Sequence, residues 1–218
     1  MKIFIPMAGK GTRLRPFTLT KPKPLLDIID KPIVEHLIDQ ITSTLSTDVK
    51  EIVYILGDEA YFNSIVVESL TAISNKYNAK TTIYRQLEQL GTGHAIMCAE
   101  ESLSGPSIIA YADTMIHGKV EINPDVDGMI WVKKVKNPSS YGVVNLDKDS
   151  NIRDLIEKPK NFISDLAVVG IYYFKEISIL RDELKLHLKD QLAPGKEYLL
   201  NYGIEKMIEK NKIFKSQE

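Results

Sequence analysis

Over the first 113 residues, short apolar runs alternate with stretches of helical period. Residues 2–7 and 51–56 are mostly apolar, built around Ile3-Phe4-Ile5 and Ile52-Val53-Tyr54-Ile55-Leu56, and read as strands; residues 80–85 and 107–111 also read as strands. Between them, 32–45 predicts a helix with Pro32 at an early position and Ile33, Leu37, Ile38 and Ile41 on one face. Residues 58–75 and 93–103 predict two further helices. This βαβαβ order implies a mainly parallel sheet with crossover helices, where ligands gather at the carboxyl ends of the strands. The loop 8–15 and Asp113 both fall at such ends. After residue 120 the pattern changes. Residues 129–135, 142–146, 152–157 and 166–174 read as strands with no helix between them, which predicts an antiparallel extension. Residues 176–191 and 198–210 close the chain as helices.

Composition narrows the class. The 218 residues are 44% hydrophobic and 26% charged, with a formal net charge of −1, the balance of a globular domain with one sizeable core. That charge gives no expectation of a nucleic-acid partner or of a membrane surface. No apolar stretch approaches spanning length, and the N-terminal run has no signal-peptide pattern. One cysteine, Cys98, excludes an internal disulfide and suits a reducing compartment. A cytoplasmic location is expected, with Cys98 in the core.

The basic residues are concentrated early. Ile5-Pro6-Met7-Ala8-Gly9-Lys10-Gly11-Thr12-Arg13-Leu14-Arg15-Pro16 is followed by Lys21-Pro22-Lys23-Pro24-Leu25-Leu26. A glycine-rich loop after a strand offers backbone N–H groups with little side-chain bulk, and its natural guest is a polyphosphate. Cations at 10, 13, 15 and 23 would add charge-assisted hydrogen bonds. The loop is neither a Walker A sequence, which needs a glycine further upstream, nor a dinucleotide fingerprint, since Leu14 stands where the third glycine belongs.

These residues resemble the sugar-1-phosphate nucleotidylyltransferases, whose signature is G-x-G-T-R-L-x-P-x-T followed by a P-K-P-L segment. The resemblance covers most of the chain. It implies an α/β, Rossmann-like fold: a mixed, mainly parallel sheet flanked by helices, with a small antiparallel extension. It also implies transfer of a nucleotidyl group from a nucleoside triphosphate to a hexose-1-phosphate. In the roles it carries over, Arg13 and Lys23 neutralise the triphosphate, and the backbone around Ala8, Gly9, Gly11 and Thr12 holds the nucleotide. Gln86, Gly91 and Thr92 lie in Gln86-Leu87-Glu88-Gln89-Leu90-Gly91-Thr92-Gly93-His94-Ala95, which is similar to a segment that reads a pyrimidine base. A bare structural reading of Gly91-Thr92-Gly93 is a helix entrance capped by Thr92. Asp113, in Tyr111-Ala112-Asp113-Thr114, is implied as a Mg²⁺ ligand, since Mg²⁺ combines few carboxylates with phosphate oxygens. Gly142, Glu157 and Lys158 match the segments that hold the sugar phosphate.

The chain departs from the family in places. Val168 stands where relatives acting on N-acetylglucosamine-1-phosphate have Asn, and Asn201-Tyr202 replaces a Thr-Asp pair. The expectation is one domain, 1–218, lacking the family's C-terminal segment and its second metal ligand. dTTP or UTP is the favoured nucleotide, with Mg²⁺ as cofactor. Mannose-1-phosphate guanylyltransferase and a catalytically weak nucleotide-sugar-binding module are the alternatives. Expected partners are the two small substrates, and a homo-oligomer is left open.

Overall fold

The computed structural model describes residues 1–190, 193 and 195–218. The chain divides into two compact units: residues 1–89 with 110–122, and residues 90–109 with 123–218.

The first unit contains, in chain order, β1 (Lys2–Pro6), a two-residue pair β2 (Asp27–Ile28) and β3 (Lys31–Pro32), α1 (Ile33–Thr42), β4 (Glu51–Leu56), α2 (Ser64–Asn75) and β5 (Lys80–Arg85). Strands β1, β4 and β5 lie side by side and parallel. Ile3, Phe4 and Ile5 pair with Ile52, Val53 and Tyr54, and all six are fully buried. Such unbroken apolar runs suit a parallel strand covered on both faces. The expected face of α1 is also buried: Ile33, Leu37, Ile38 and Ile41, joined by Val34.

Two helix starts differ from expectation, each for a local reason. Pro32 is extended and precedes α1 as its N-cap, so the helix starts one residue later. Residues 58–63 form a turn instead of the first third of the helix expected over 58–75. The Asp58 side chain accepts from Ala60 N–H, and its carbonyl accepts from Tyr61 and Phe62 N–H. The helix begins only after Asn63, whose side chain accepts from Val66 N–H.

The second unit contains α3 (Thr92–Met97), β6 (Ser107–Ala110, of which 107–109 belong here), β7 (Gly128–Lys134), β8 (Gly142–Leu146), β9 (Ile152–Glu157), β10 (Leu166–Phe174), α4 (Ile177–His187), α5 (Leu200–Glu209) and β11 (Phe214–Gln217). Here the predicted antiparallel part appears: β7 pairs with β10, β10 with β8, and β8 with β9, all antiparallel. The mixed architecture is therefore present: the parallel trio β1, β4 and β5 lies in the first unit, and most of the antiparallel pairing lies in the second. Strand β11, parallel to β7, was not expected; Phe214 packs its ring against Gly128, where an added Cβ would stand 2.2 Å from a ring carbon. Helix α3 ends at Met97, and a separate 3-10 turn, Glu100–Ser102, completes the stretch expected as one helix. Helix α4 ends at His187; the expected end at Gln191 lies outside the described residues. Cys98, expected in the core, is only half-buried; that burial pushes its thiol pKa up and makes it a poor thiolate.

Helix α4 is capped by Glu176, whose carboxylate accepts from the N–H of Ser178 at 3.1 Å and of Gly105 at 2.8 Å. Burial alone would raise its pKa, but these hydrogen bonds and the nearby Arg181 outweigh it and hold the carboxyl below its usual range. A depressed folded-state pKa contributes stability that is present above the unfolded value, about 4.3, and lost as pH falls through the folded one. Glu176→Gln should therefore be less stable than wild type at neutral pH, and the gap should narrow as pH drops below 4. Urea midpoints measured between pH 7 and pH 3 check this.

Candidate nucleotide-binding site

The basic loop is shaped by backbone constraints. Met7 N–H still donates to Ile55 O at 2.8 Å, continuing the β1–β4 pairing one residue past the strand. The chain then leaves the sheet. Gly57 lets it pass closely, since a Cβ there would sit 2.7 Å from Ala8 O. Gly11 adopts a left-handed conformation, φ +60, that glycine holds at little cost. Its carbonyl accepts from Leu14 N–H at 2.9 Å and from the Thr18 hydroxyl at 2.8 Å. Thr12–Leu14 makes one 3-10 turn, and Lys23–Leu25 makes another with Pro22 and Pro24 fixing its start. A Cβ on Gly11 would lie 3.1 Å from Lys23 Cβ, a tight contact that the glycine avoids where the two arms of the loop meet.

Within this unit the loop borders a cavity of about 620 Å³, lined among others by Gly9, Gly11, Thr12 and three cations, Lys10, Arg13 and Lys23. The one carboxylate in the lining is Asp113. Lys23 Nζ meets Asp113 Oδ2 at 2.9 Å. Lys10 and Arg13 are exposed and form no ion pair among the described residues. An open, solvent-facing cavity with this excess of positive charge can hold a multiply charged anion. Sequence reasoning assigned Lys23 and Asp113 separately; their direct contact, across 90 residues of chain, had no local signal.

Two other expected nucleotide contacts of this unit, Ala8 and Gln86, are not among the residues of the lining. Ala8 is buried, and its carbonyl accepts from Gln89 Nε2 at 3.4 Å. Gln86 is buried just past β5, where its N–H donates to Leu56 O at 2.7 Å.

Among the described residues no group of three or more His, Cys, Asp or Glu side chains is arranged to hold a metal. Asp113, with its side chain 56% exposed, is a single carboxylate. That donor set fits Mg²⁺ arriving with phosphate oxygens and does not fit a protein cage.

The remaining expected residues fall in the second unit. Gly91 has φ +116, and an added Cβ would stand 2.6 Å from Tyr198 O; one on Gly93 would stand 2.9 Å from Leu199 O. Gly93 N–H donates to Tyr198 O at 2.7 Å, and Tyr198 N–H donates to Leu90 O at 2.8 Å. The two glycines thus serve a close backbone contact with residues 197–199. Thr92 makes no side-chain cap for its own helix. Its hydroxyl accepts instead from Leu200 N–H at 2.9 Å, capping α5 from 108 residues away. His94 follows inside α3, and His117 is exposed.

Gly142 and Glu157 are directly opposed in the β8–β9 pairing. A Cβ on Gly142 would lie 3.1 Å from Glu157 Oε2 and 3.3 Å from Asn201 Nδ2, so the glycine leaves room for the Asn201–Glu157 hydrogen bond of 2.9 Å. Lys158 has φ +43, an uncommon conformation for a side-chain-bearing residue, and its N–H donates to Tyr141 O at 3.1 Å. Its ammonium is exposed, 3.6 Å from Glu157 Oε1. Gly142, Glu157 and Lys158 therefore come together within this unit, as Arg13, Lys23 and Asp113 do in the other. Asn201, conspicuous in the sequence only as a departure, belongs with the first group.

The match to the nucleotidyl transferase family model runs over residues 4–216. The chain belongs to this family. Among curated proteins, it is 32% identical to the bifunctional protein GlmU of Methanococcus maripaludis strain S2, over 98% of this chain and 48% of that one. It is 30% identical to the mannose-1-phosphate guanylyltransferase catalytic subunit beta of Danio rerio, over 85% of this chain and 52% of that one. The chain thus spans about half the length of the curated relatives it matches. A solved structure of UDP-glucose pyrophosphorylase complexed with UDP-glucose superposes with a TM-score of 0.75 at 22% identity, covering 99% of this chain and 89% of that one. At that identity the likeness establishes the fold. In this nucleotidyl transferase chain, the Thr92 hydroxyl ties α3 to the first residue of α5. Thr92→Val should cost about 1 kcal/mol of stability, as for a lost helix cap, and Thr92→Ser should recover most of it. Denaturant titration of the two variants measures both.

Proposed function

We propose that the chain transfers a nucleotidyl group from a nucleoside triphosphate to a hexose-1-phosphate, releasing pyrophosphate. The observation that carries this reading is the cavity lined by Lys10, Arg13, Lys23 and Asp113. A sugar-phosphate oxygen forms a bond to the α-phosphorus, and the bond from that phosphorus to the β-phosphate's bridging oxygen breaks, leaving pyrophosphate. The attacking group is a phosphate monoester with a second pKa of about 6, so it is already mostly dianionic at neutral pH and needs no general base. The barrier is the approach of two anions, and positioning with charge neutralisation lowers it.

In this reading Arg13 and Lys23 compensate the triphosphate charge and then the departing pyrophosphate. The backbone of Ala8, Gly9, Gly11 and Thr12 orients the phosphates, and the family resemblance assigns Gln86, Gly91 and Thr92 to the base. Gly142 gives the sugar access to the backbone, Glu157 accepts from its hydroxyls, and Lys158 holds its phosphate. Mg²⁺, held by Asp113 together with phosphate oxygens, would supply further charge neutralisation at the triphosphate. A pyrimidine nucleotide is favoured by Gln86. Val168, whose methyl lies 3.8 Å from where a Gly142 Cβ would stand, offers an apolar neighbour that suits a plain hexose better than an acetamido sugar.

A second reading, guanylyl transfer to mannose-1-phosphate, is supported by the similarity to the Danio rerio subunit of that name. Pyrophosphate release measured for UTP, dTTP and GTP against glucose-, mannose- and N-acetylglucosamine-1-phosphate separates the two. Turnover confined to pyrimidine nucleotides supports the first, and turnover confined to GTP supports the second. Binding of a nucleotide sugar with no pyrophosphate from any pair would overturn both in favour of a binding module. With the productive pair, Arg13→Ala and Lys23→Ala should each lower kcat by about 10²–10³, the scale of one lost donor to developing negative charge. Wild-type kcat in either would remove that residue from the role.

A further inference from the structure

We infer that Tyr61 is a positioning residue for the nucleotide: its phenol anchors the basic loop from outside the cavity. This rests on the functional reading above. The Tyr61 hydroxyl lies 2.7 Å from Thr18 O and 3.2 Å from Lys21 O. It has one proton, so it donates chiefly to Thr18 and leans toward Lys21. Burial raises the phenol's pKa, with Arg15 pulling it back in part, and the group stays a donor throughout the neutral range. Thr18 is 2% exposed and hands the constraint on, because its hydroxyl donates to Gly11 O. Gly11 in turn abuts the stem of Lys23. A chain of contacts thus runs from Tyr61 through Thr18 and Gly11 to the aliphatic stem of Lys23, with no ion pair among its links.

The platform that carries Tyr61 is itself braced. Arg85, the last residue of β5, donates through Nη1 to Gly57 O at 2.9 Å and Phe62 O at 2.8 Å, fixing both ends of the turn. Phe62 is fully buried and meets the Tyr61 ring edge-on, with centroids 5.1 Å apart. A turn braced by these bonds therefore holds the glycine loop that carries the exposed cations. Losing the hydroxyl removes no residue of the turn or of the cavity lining, but frees the loop to sample arrangements in which Gly11 and Lys23 are out of place. The nucleotide must then reorder the loop on binding, and its apparent affinity falls.

The test compares Tyr61→Phe with Tyr54→Phe in the full chain. Tyr54 is a fully buried phenol of the same unit, bonded to Ser74 Oγ at 3.0 Å, and serves as the control for a lost phenol hydrogen bond elsewhere. In Tyr61→Phe, KM for the nucleoside triphosphate should rise roughly five- to tenfold, as for one net hydrogen bond, with KM for the sugar phosphate unchanged. Thr18→Val should raise the same constant and Thr18→Ser should restore it. Tyr54→Phe should leave both constants at wild-type values. Amide hydrogen exchange should quicken in residues 11–21 of Tyr61→Phe alone. An active wild type with an unaltered nucleotide KM in Tyr61→Phe overturns the inference while the functional reading stands. An equal rise in Tyr54→Phe also overturns it, by showing a general effect of destabilisation. A wild type that turns over no substrate pair overturns the functional reading, and the nucleotide role of Tyr61 falls with it.

Discussion

Like charges gathered around one cavity repel, and Lys10, Arg13 and Lys23 are gathered with Asp113 as the one carboxylate in the lining. That repulsion works against the arrangement, so it is held by something other than its own electrostatics. That something is the backbone. The left-handed Gly11, the Thr18 hydroxyl on its carbonyl, and the prolines at 22 and 24 fix the loop. The Lys23–Asp113 pair relieves one of the three charges. A polyphosphate would relieve all of them, which makes the cavity complementary to a ligand of that charge.

The second unit is organised on a different constraint, the close approach of backbone to backbone. Gly91 and Gly93 leave no room for side chains beside residues 197–199, and Thr92 caps α5 across that contact. Gly142 leaves room for Asn201 to bond Glu157, which holds one carboxylate oxygen and leaves the other 3.6 Å from Lys158. Small residues here fix where polar groups can stand. Two roles for one residue are compatible: a glycine that allows a tight chain contact can also leave a backbone group open to a ligand.

Much of the fold was legible from periodicity. The apolar runs of β1 and β4 and the face of α1 are long, continuous signals tied to burial. The missed pieces are short or non-local. Strand β11 is four residues, Phe-Lys-Ser-Gln, with one buried apolar residue and no alternation to read. The turn at 58–63 looked helical because its content of Ala, Tyr and Phe is compatible with a helix; Asp58 and Asn63 divert it by bonding backbone N–H groups. In the site, the residue types of the basic loop were visible at once, whereas the Lys23–Asp113 pair and the Tyr61 anchor join positions 90 and 43 residues apart. A pattern along the chain cannot report such distances without a known fold to thread them through.

The most direct measurement of the charge-crowded cavity is the affinity of metal-free inorganic triphosphate, titrated calorimetrically in EDTA, for wild type and Asp113→Asn. Removing the carboxylate releases Lys23 and deletes the one negative charge in the lining, so the variant should bind triphosphate several-fold more tightly, with a steeper loss of affinity as salt is added. Equal or weaker binding by Asp113→Asn would show that the cations at this cavity are not poised for a polyphosphate.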